Sequence, residues 1–204
     1  MRWYEQNYKL LRYMELAMNP VPESESAVHD FAVHLLSLLG YVPRTMMART
    51  HADIPFTICG RFSLVPTDVQ IIGFDDIILL LIQEDKRHLR PSNPEAQLIA
   101  KAIAAFQANN SRRRQVFDQD TLAHEVIPGI TLTGSSPTFY KIPVTTQLAQ
   151  SIVAGTYPSV PTVVHAHLPV LARPVRRLTE GMSPLDNRAN ILACFDAFKR
   201  FVVE

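Results

Sequence analysis

Three charged residues in the middle of the chain have the types and spacing of a metal-dependent catalytic site. Asp68 lies in one predicted strand, residues 67–72, while Glu84 and Lys86 end the next, residues 77–86. Because side chains alternate along a strand, Glu84 and Lys86 point the same way, and strand pairing would bring Asp68 beside them. Two converging carboxylates suit Mg²⁺, and a lysine beside them can polarise a water or offset charge on phosphate oxygens.

Asp85 stands between Glu84 and Lys86, so its side chain is expected to point to the other face of the strand. Its backbone carbonyl would face the metal instead and could complete the coordination. The predicted metal ligands are therefore Asp68, Glu84 and Asp85, for Mg²⁺ or alternatively Mn²⁺. The simpler interpretation of a Glu-x-Lys sequence is a solvated ion pair, worth under about 1 kcal/mol.

The elements that would position these residues are predicted by apolar periodicity. Helical spacing is clearest from Val28 to Leu39, and Gly40 ends that helix. The unbroken apolar run at residues 77–82 predicts a central strand that is buried on both faces. A second helix is expected from about Pro91 to Asn110.

Further strands and helices complete the predicted fold. Strands are expected at residues 41–49, 130–133, 138–144 and 162–167, and helices at residues 1–19, 145–154 and 184–203. The predicted fold class is α/β (α+β), with a central mixed sheet of about five strands flanked by helices. We expect one domain over residues 1–204, with a core at about 24–145 and the terminal helices as additions.

The order helix, strand, strand with Asp68, strand with Glu84-x-Lys86, helix resembles the PD-(D/E)XK nuclease superfamily over about residues 24–110. The resemblance implies a restriction-endonuclease-like core, with Asp68 and Glu84 as metal ligands and Lys86 as the catalytic lysine. The whole chain also resembles a group of fungal proteins with this core. Three segments carry that second resemblance: residues 83–87 (QEDKR), 136–141 (SPTFYK) and 186–188 (DNR).

Two features of that superfamily are matched only in part. Many members carry a Glu on the first core helix, where this chain has His29, with Asp30 next to it and Glu25 one turn earlier. Which of these three completes the site is open, and Glu25 is included among the candidate catalytic residues. Some members carry Gln-x-x-x-Tyr on the following helix. Gln97 matches its first position, while Lys101 departs from its last.

A polyanionic partner would need a local basic surface, because Lys plus Arg total 20 against 19 for Asp plus Glu. The run Arg112, Arg113 and Arg114 is the candidate for contact with nucleic acid, since arginine matches phosphate oxygens. We expect it to follow the second helix and to lie on the same side of the molecule as Asp68 and Glu84. Solvated loop arginines are the simpler interpretation.

Cysteine content and apolar runs indicate the compartment. Cys59 and Cys194 lack metal-ligand spacing and are interpreted as buried, reduced thiols. The polar and aromatic start of the chain does not resemble a secretory signal, and the longest apolar run is too short to span a bilayer. The chain is therefore expected to be intracellular, in the cytoplasm or nucleus, without membrane contact.

Two functions remain in view. The first is a Mg²⁺-dependent phosphodiesterase acting on nucleic acid, DNA or RNA, and the retained Asp68, Glu84 and Lys86 favour it. The second is a catalytically inactive nuclease-fold protein that serves as a binding or interaction module. Two features favour this alternative: the near-neutral net charge, and His29 at the helix position where many members of the superfamily carry a Glu. The oligomeric state is left open, with a homodimer among the alternatives.

Overall fold

The computed structural model describes residues 2–19, 27–85 and 93–203, which form helices on both faces of a mixed sheet. The helices are α1 (Arg2–Met18), α2 (Ala27–Leu38), α3 (Pro94–Val116), α4 (Thr146–Ala154), α5 (Arg177–Glu180) and α6 (Leu185–Val203). The strands are β1 (Met46–Thr50), β2 (Asp53–Ile58), β3 (Arg61–Pro66), β4 (Val69–Gly73), β5 (Ile78–Glu84), β6 (His124–Thr133), β7 (Ser136–Thr145) and β8 (His165–His167).

Six strands form the main sheet, in the order β1-β4-β5-β6-β7-β8. The β5–β6 pair is parallel, and the other neighbours in this sheet are antiparallel. The predicted fold class, α+β with a mixed sheet flanked by helices, is confirmed. The sheet has one strand more than the five expected, and a separate hairpin accompanies it.

Strand β5 is central, as its apolar sequence predicts. Leu80 and Leu81 are both 0% exposed although they point to opposite faces. Leu80 packs with α1, α2 and α6, whereas Leu81 packs with α3, α4 and β2. The strand ends at Glu84, and Lys86 lies outside the described residues.

The hairpin β2–β3 is a structure that the apolar periodicity does not predict. Its tight turn is formed by Cys59 and Gly60, both of which have positive φ. In β2 only Ile54 and Phe56 are buried. Every residue of β3 is exposed except the half-buried Val65. Because Cys59 sits in this turn it is exposed, which corrects the expectation of a buried thiol; Cys59 and Cys194 are both free.

The terminal helices belong to the main core. Met14 and Ala17 of α1 and Phe195 of α6 pack in the same cluster as Ile82 of β5. Burying a side chain as large as that of Phe195 contributes about 1.5–3 kcal/mol. The hydroxyl of Tyr41 donates a 2.6 Å hydrogen bond to the carbonyl of Phe195, and burial raises the pKa of this phenol.

Helix α3 is longer than expected, which changes the setting of the arginine run. It starts at Pro94 with Asn93 as the N-cap, whose side chain accepts a hydrogen bond from the amide of Ala96. It continues to Val116, so residues 112–114 lie in its last turns rather than in a loop after it. No described helix is long and apolar enough to cross a membrane.

Candidate functional site

Asp68 and Glu84 meet at one end of the sheet. Asp68 is the bend residue just before β4, and its Oδ2 accepts a 2.8 Å hydrogen bond from the backbone amide of Glu84. Thr67 fixes this bend through its amide and hydroxyl, which both donate to the carbonyl of Ala52 at 2.9 and 2.6 Å. The structure therefore brings together the two carboxylates that the strand pattern places side by side.

His29 is the residue of α2 that reaches these carboxylates. It is 3% exposed, and its Nε2 lies 3.1 Å from Oε2 of Glu84 and 3.9 Å from Oδ1 of Asp68. The ring nitrogen is thus in close contact with the carboxylate oxygen, although the two do not meet with hydrogen-bond geometry. Asp30 is exposed on the same helix, and Glu25 lies outside the described residues.

Lys101 approaches the same aspartate from the opposite layer. It is 7% exposed in α3, and its Nζ lies 3.9 Å from Oδ2 of Asp68. Nζ also donates a 2.5 Å hydrogen bond to Oε1 of Gln83, whose Nε2 donates to the carbonyl of Glu84 at 3.0 Å. The carboxylate of Asp68 thus stands between an imidazole of one helix layer and an ammonium of the other.

Lys101 and Gln83 are functional candidates that the sequence pattern does not single out. Lys101 follows Gln97 by one turn, and Gln97, the predicted site residue, is exposed in the first turn of α3. Lys101 belongs instead to the buried row of α3 with Leu98, Ala102 and Ala105. A lysine in an otherwise apolar row is the signal that could have identified it.

Asp85 points away from Glu84, as strand alternation predicts. Its side chain is 3% exposed and its Oδ2 accepts a 3.0 Å hydrogen bond from the hydroxyl of Thr133 in β6. Its backbone amide donates to the carbonyl of Leu132 at 2.7 Å, which extends the β5–β6 ladder by one residue. Metal coordination by the Asp85 carbonyl stays a prediction.

His51 adds a strained residue beside the pair. Its φ is +52°, a left-handed conformation that costs a non-glycine residue about 1–2 kcal/mol. Its amide donates to the carbonyl of Asp68 at 3.2 Å, and its ring centroid lies 5.1 Å from that of His29. Nothing in the local sequence indicates this contact, because it depends on the pairing of β1 with β4.

The carboxylate pair suits Mg²⁺ in donor type, since this ion is commonly held by one or two carboxylates and several waters. Within residues 2–19, 27–85 and 93–203, however, no group of three or more His, Cys, Asp or Glu side chains has the geometry of a metal centre. The imidazole of His29 lies close to both acids, with Nε2 3.1 Å from Glu84 and 3.9 Å from Asp68. The ring nitrogen of His29 is therefore a group that a metal held by Asp68 and Glu84 would meet, as a ligand or as a competitor.

The arginine run lies far from these carboxylates, which corrects the expectation that it shares their side of the molecule. Arg112 donates to the carbonyl of Asp75 and to the carboxylate of Asp76, in the turn at the opposite end of β4 and β5. It follows Lys101 by eleven residues, or about 16 Å along α3. Arg113 donates to the carbonyl of Asp120 at 3.0 Å, and Arg114 is exposed in the same last turns.

A second group of arginines, Arg173, Arg176 and Arg177, is engaged in structural contacts. Arg173 pairs with Glu180 at 2.7 Å and Asp186 at 3.1 Å, and these hydrogen bonds hold the pKa of both carboxyls below their ordinary values. Arg177 donates to the hydroxyls of Ser136 and Thr138 at 3.1 and 3.0 Å. Burial lowers the pKa of its guanidinium.

No family model matches this chain, and no curated protein matches it. The resemblance to PD-(D/E)XK nucleases rests on the sequence pattern, and the functional candidates rest on the contacts of Asp68, Glu84, His29 and Lys101.

Proposed function

We propose that this protein is a metal-dependent phosphodiesterase that cleaves nucleic acid, with a PD-(D/E)XK-type site. The observation that supports this most is the meeting of Asp68 and Glu84 at the end of the central strand, tied by the 2.8 Å bond from the Glu84 amide to Asp68. Two acids held by backbone geometry are preorganised for a cation. Glu84 is buried, and the half-buried Asp68 also lies 3.9 Å from the ammonium of Lys101.

Asp68 and Glu84 would hold Mg²⁺ or Mn²⁺, and the bound ion would supply a Lewis acid for the phosphoryl oxygens. Lys101, whose Nζ lies 3.9 Å from Oδ2 of Asp68, would orient this carboxylate. Lys86, outside the described residues, is proposed to position the attacking water and to offset charge on the phosphate. Free Cys59 and Cys194 are compatible with action in the cytoplasm or nucleus.

A non-catalytic binding module is the second candidate, and one contact favours it. His29 meets Glu84 at 3.1 Å, so a protonated imidazole could take the place of the metal between the two acids. In that case the site would stabilise the junction of α2 with the sheet and would bind no cation. The two candidates therefore differ in what the His29 ring does when divalent metal is added.

The proposal is tested by incubating labelled DNA and RNA, single- and double-stranded, with the full chain in Mg²⁺, Mn²⁺ or EDTA. We expect metal-dependent cleavage that falls at least about 10²-fold in Asp68→Asn and Glu84→Gln, the size of losing one electrostatic stabiliser. Asp30→Asn is the matched control, because Asp30 is exposed on α2 beside His29. Cleavage that is equal in all four proteins would refute the assignment of Asp68 and Glu84.

A further inference from the structure

A second concave site lies on the α3 face of the sheet, away from the two carboxylates. It is a cavity of about 500 Å³ between the hairpin β2–β3, strand β4 and the C-terminal half of α3. Its apolar lining includes Ile54, Phe56, Ile72 and Ile78. This volume is within the range of pockets that hold small organic ligands.

Gln70 of β4 lines this cavity, and the oxygen of its side-chain amide lacks a hydrogen-bond donor among the described residues. It is 3% exposed, and among the described residues its buried Oε1 has no hydrogen-bond partner. Buried side-chain amides are nearly always bonded, so an orphaned oxygen at a cavity wall indicates a ligand that donates a hydrogen bond. A glutamine amide can both accept and donate, and it therefore suits a ligand edge that carries both types of group.

Phe62 of β3 lines the same cavity from the hairpin. Its side chain is 71% exposed, which is unusual for a large aromatic residue at the edge of a cavity. An exposed aromatic ring offers a flat face on which a second planar ring can stack. The combination of Phe62 with the Gln70 amide favours a planar ligand with polar edges.

The charges around the cavity indicate that the planar group is neutral. Arg49 and Arg112 line it together with Asp53 and Asp76, so the four formal charges cancel. Arg112 is already paired with Asp76, which leaves Arg49 and Asp53 near the opening. A free phosphate or a carboxylate would find no concentrated positive charge here.

We infer that this cavity binds a nucleobase, with the Gln70 amide on the hydrogen-bonding edge of the base and Phe62 stacked on its face. Gln70, the second residue of β4, follows Asp68 by two residues, or about 7 Å of extended chain. A strand held at the carboxylates could therefore place an unstacked base in the cavity. That role rests on the proposed function, whereas binding of a base requires no cleavage.

The test measures binding of adenosine, guanosine, cytidine, uridine and thymidine to the full chain by calorimetry in EDTA, where metal-dependent cleavage is absent. We expect at least one nucleoside to bind and Phe62→Ala to weaken it about tenfold, a typical effect of losing one base-stacking ring. Phe74→Ala is the matched control, since Phe74 is 92% exposed in the β4–β5 turn and does not line the cavity. Gln70→Leu should abolish preference among the bases.

Failure of this inference is distinct from failure of the proposed nuclease. Lack of binding by all five nucleosides at about 5 mM, or equal affinities of Phe62→Ala and Phe74→Ala, would overturn the base site even if the protein cleaves nucleic acid. An unchanged base preference in folded Gln70→Leu would also overturn it. If the protein binds nucleosides through Phe62 but cleaves no nucleic acid, the base site is supported and only the nuclease proposal is wrong.

Discussion

Nε2 of His29 lies 3.1 Å from Oε2 of Glu84, so a helix residue from one layer contacts the last residue of the central strand. The same ring nitrogen lies 3.9 Å from Oδ1 of Asp68. The imidazole thus stands between the two acids that the proposed metal would share. The position of this ring in the presence of divalent metal therefore distinguishes the two proposed functions.

We predict that calcium or manganese soaked into crystals will sit between Asp68 and Glu84, with the His29 ring turned away. His29→Ala should bind Mn²⁺ at least as tightly as the wild type, because the ring no longer competes for the position between the acids. Calorimetry measures the affinity, with Asp30→Ala as the control on the same helix. A site that stays empty at millimolar metal would count heavily against catalysis, and weaker binding by His29→Ala would make the imidazole a ligand.

Lys101→Met should destabilise the fold by about 1–3 kcal/mol, because it leaves Asp68 and the buried Gln83 amide without the ammonium. Methionine keeps most of the apolar stem, so the loss is mainly electrostatic. Lys9→Met is the control: the side chains of its ion pair with Glu5 are 55% and 67% exposed, and it should change stability by less than about 0.5 kcal/mol. Urea unfolding measures both. Equal effects would show that Lys101 has no special electrostatic role.

Much of the fold follows from periodicity, and the departures have physical causes. The apolar run of β5 and the spacing of α2 predict a buried central strand and its covering helix, because both elements pack against the core. The hairpin β2–β3 is not predicted, because β3 exposes its apolar residues Phe62 and Leu64 and so lacks a regular alternation of buried apolar and exposed polar residues. Helix α3 extends past Asn109 because that residue caps β5, donating to the carbonyl of Ile78 and accepting from its amide.

Only those site residues that are brought together by the pairing of neighbouring strands can be predicted from the sequence. Asp68 and Glu84 are brought together by adjacent antiparallel strands, which the sequence indicates directly. The contacts of His29, His51 and Lys101 depend on how two helices and an edge strand pack on the sheet. Contacts between distant segments leave little local pattern, so the sequence leaves His29 as one of three alternatives, and the apolar row around Lys101 is its one sequence signal.

Glu125→Gln should stabilise the protein near pH 7, by up to about 1 kcal/mol. Burial raises the pKa of the Glu125 carboxyl, which also accepts hydrogen bonds from Nδ2 of Asn109 at 3.3 and 3.4 Å. A raised folded-state pKa means that ionisation opposes folding, so the wild type loses stability as pH rises through that pKa. Thermal unfolding of both proteins from pH 3 to 8 measures this. The advantage of the variant should vanish below the ordinary glutamate pKa, and an advantage that is constant with pH would contradict the mechanism.

Arg114→Ala should leave nucleic-acid binding unchanged within about twofold, because this arginine lies in the last turns of α3, beyond Lys101 by more than 15 Å along the helix axis. Fluorescence anisotropy at low salt, in EDTA, measures the affinity. The amide of Gln107 in the same half of the helix holds β2 through Thr57, so the fold here does not depend on Arg114. A large loss of affinity would show that nucleic acid contacts the face of α3 that carries Arg114, which does not line the proposed base cavity.

The most direct test of the proposed nuclease is the rate of metal-dependent cleavage by Lys86→Ala beside the wild type. The sequence places Lys86 just beyond the buried part of β5, so its removal should change stability by no more than about 0.5 kcal/mol. We predict that cleavage falls roughly 10²–10³-fold while Asp68 and Glu84 still bind metal. If neither protein cleaves any DNA or RNA with Mg²⁺ or Mn²⁺, the nuclease proposal is wrong, and the cluster of His29, Asp68 and Glu84 belongs to a binding module.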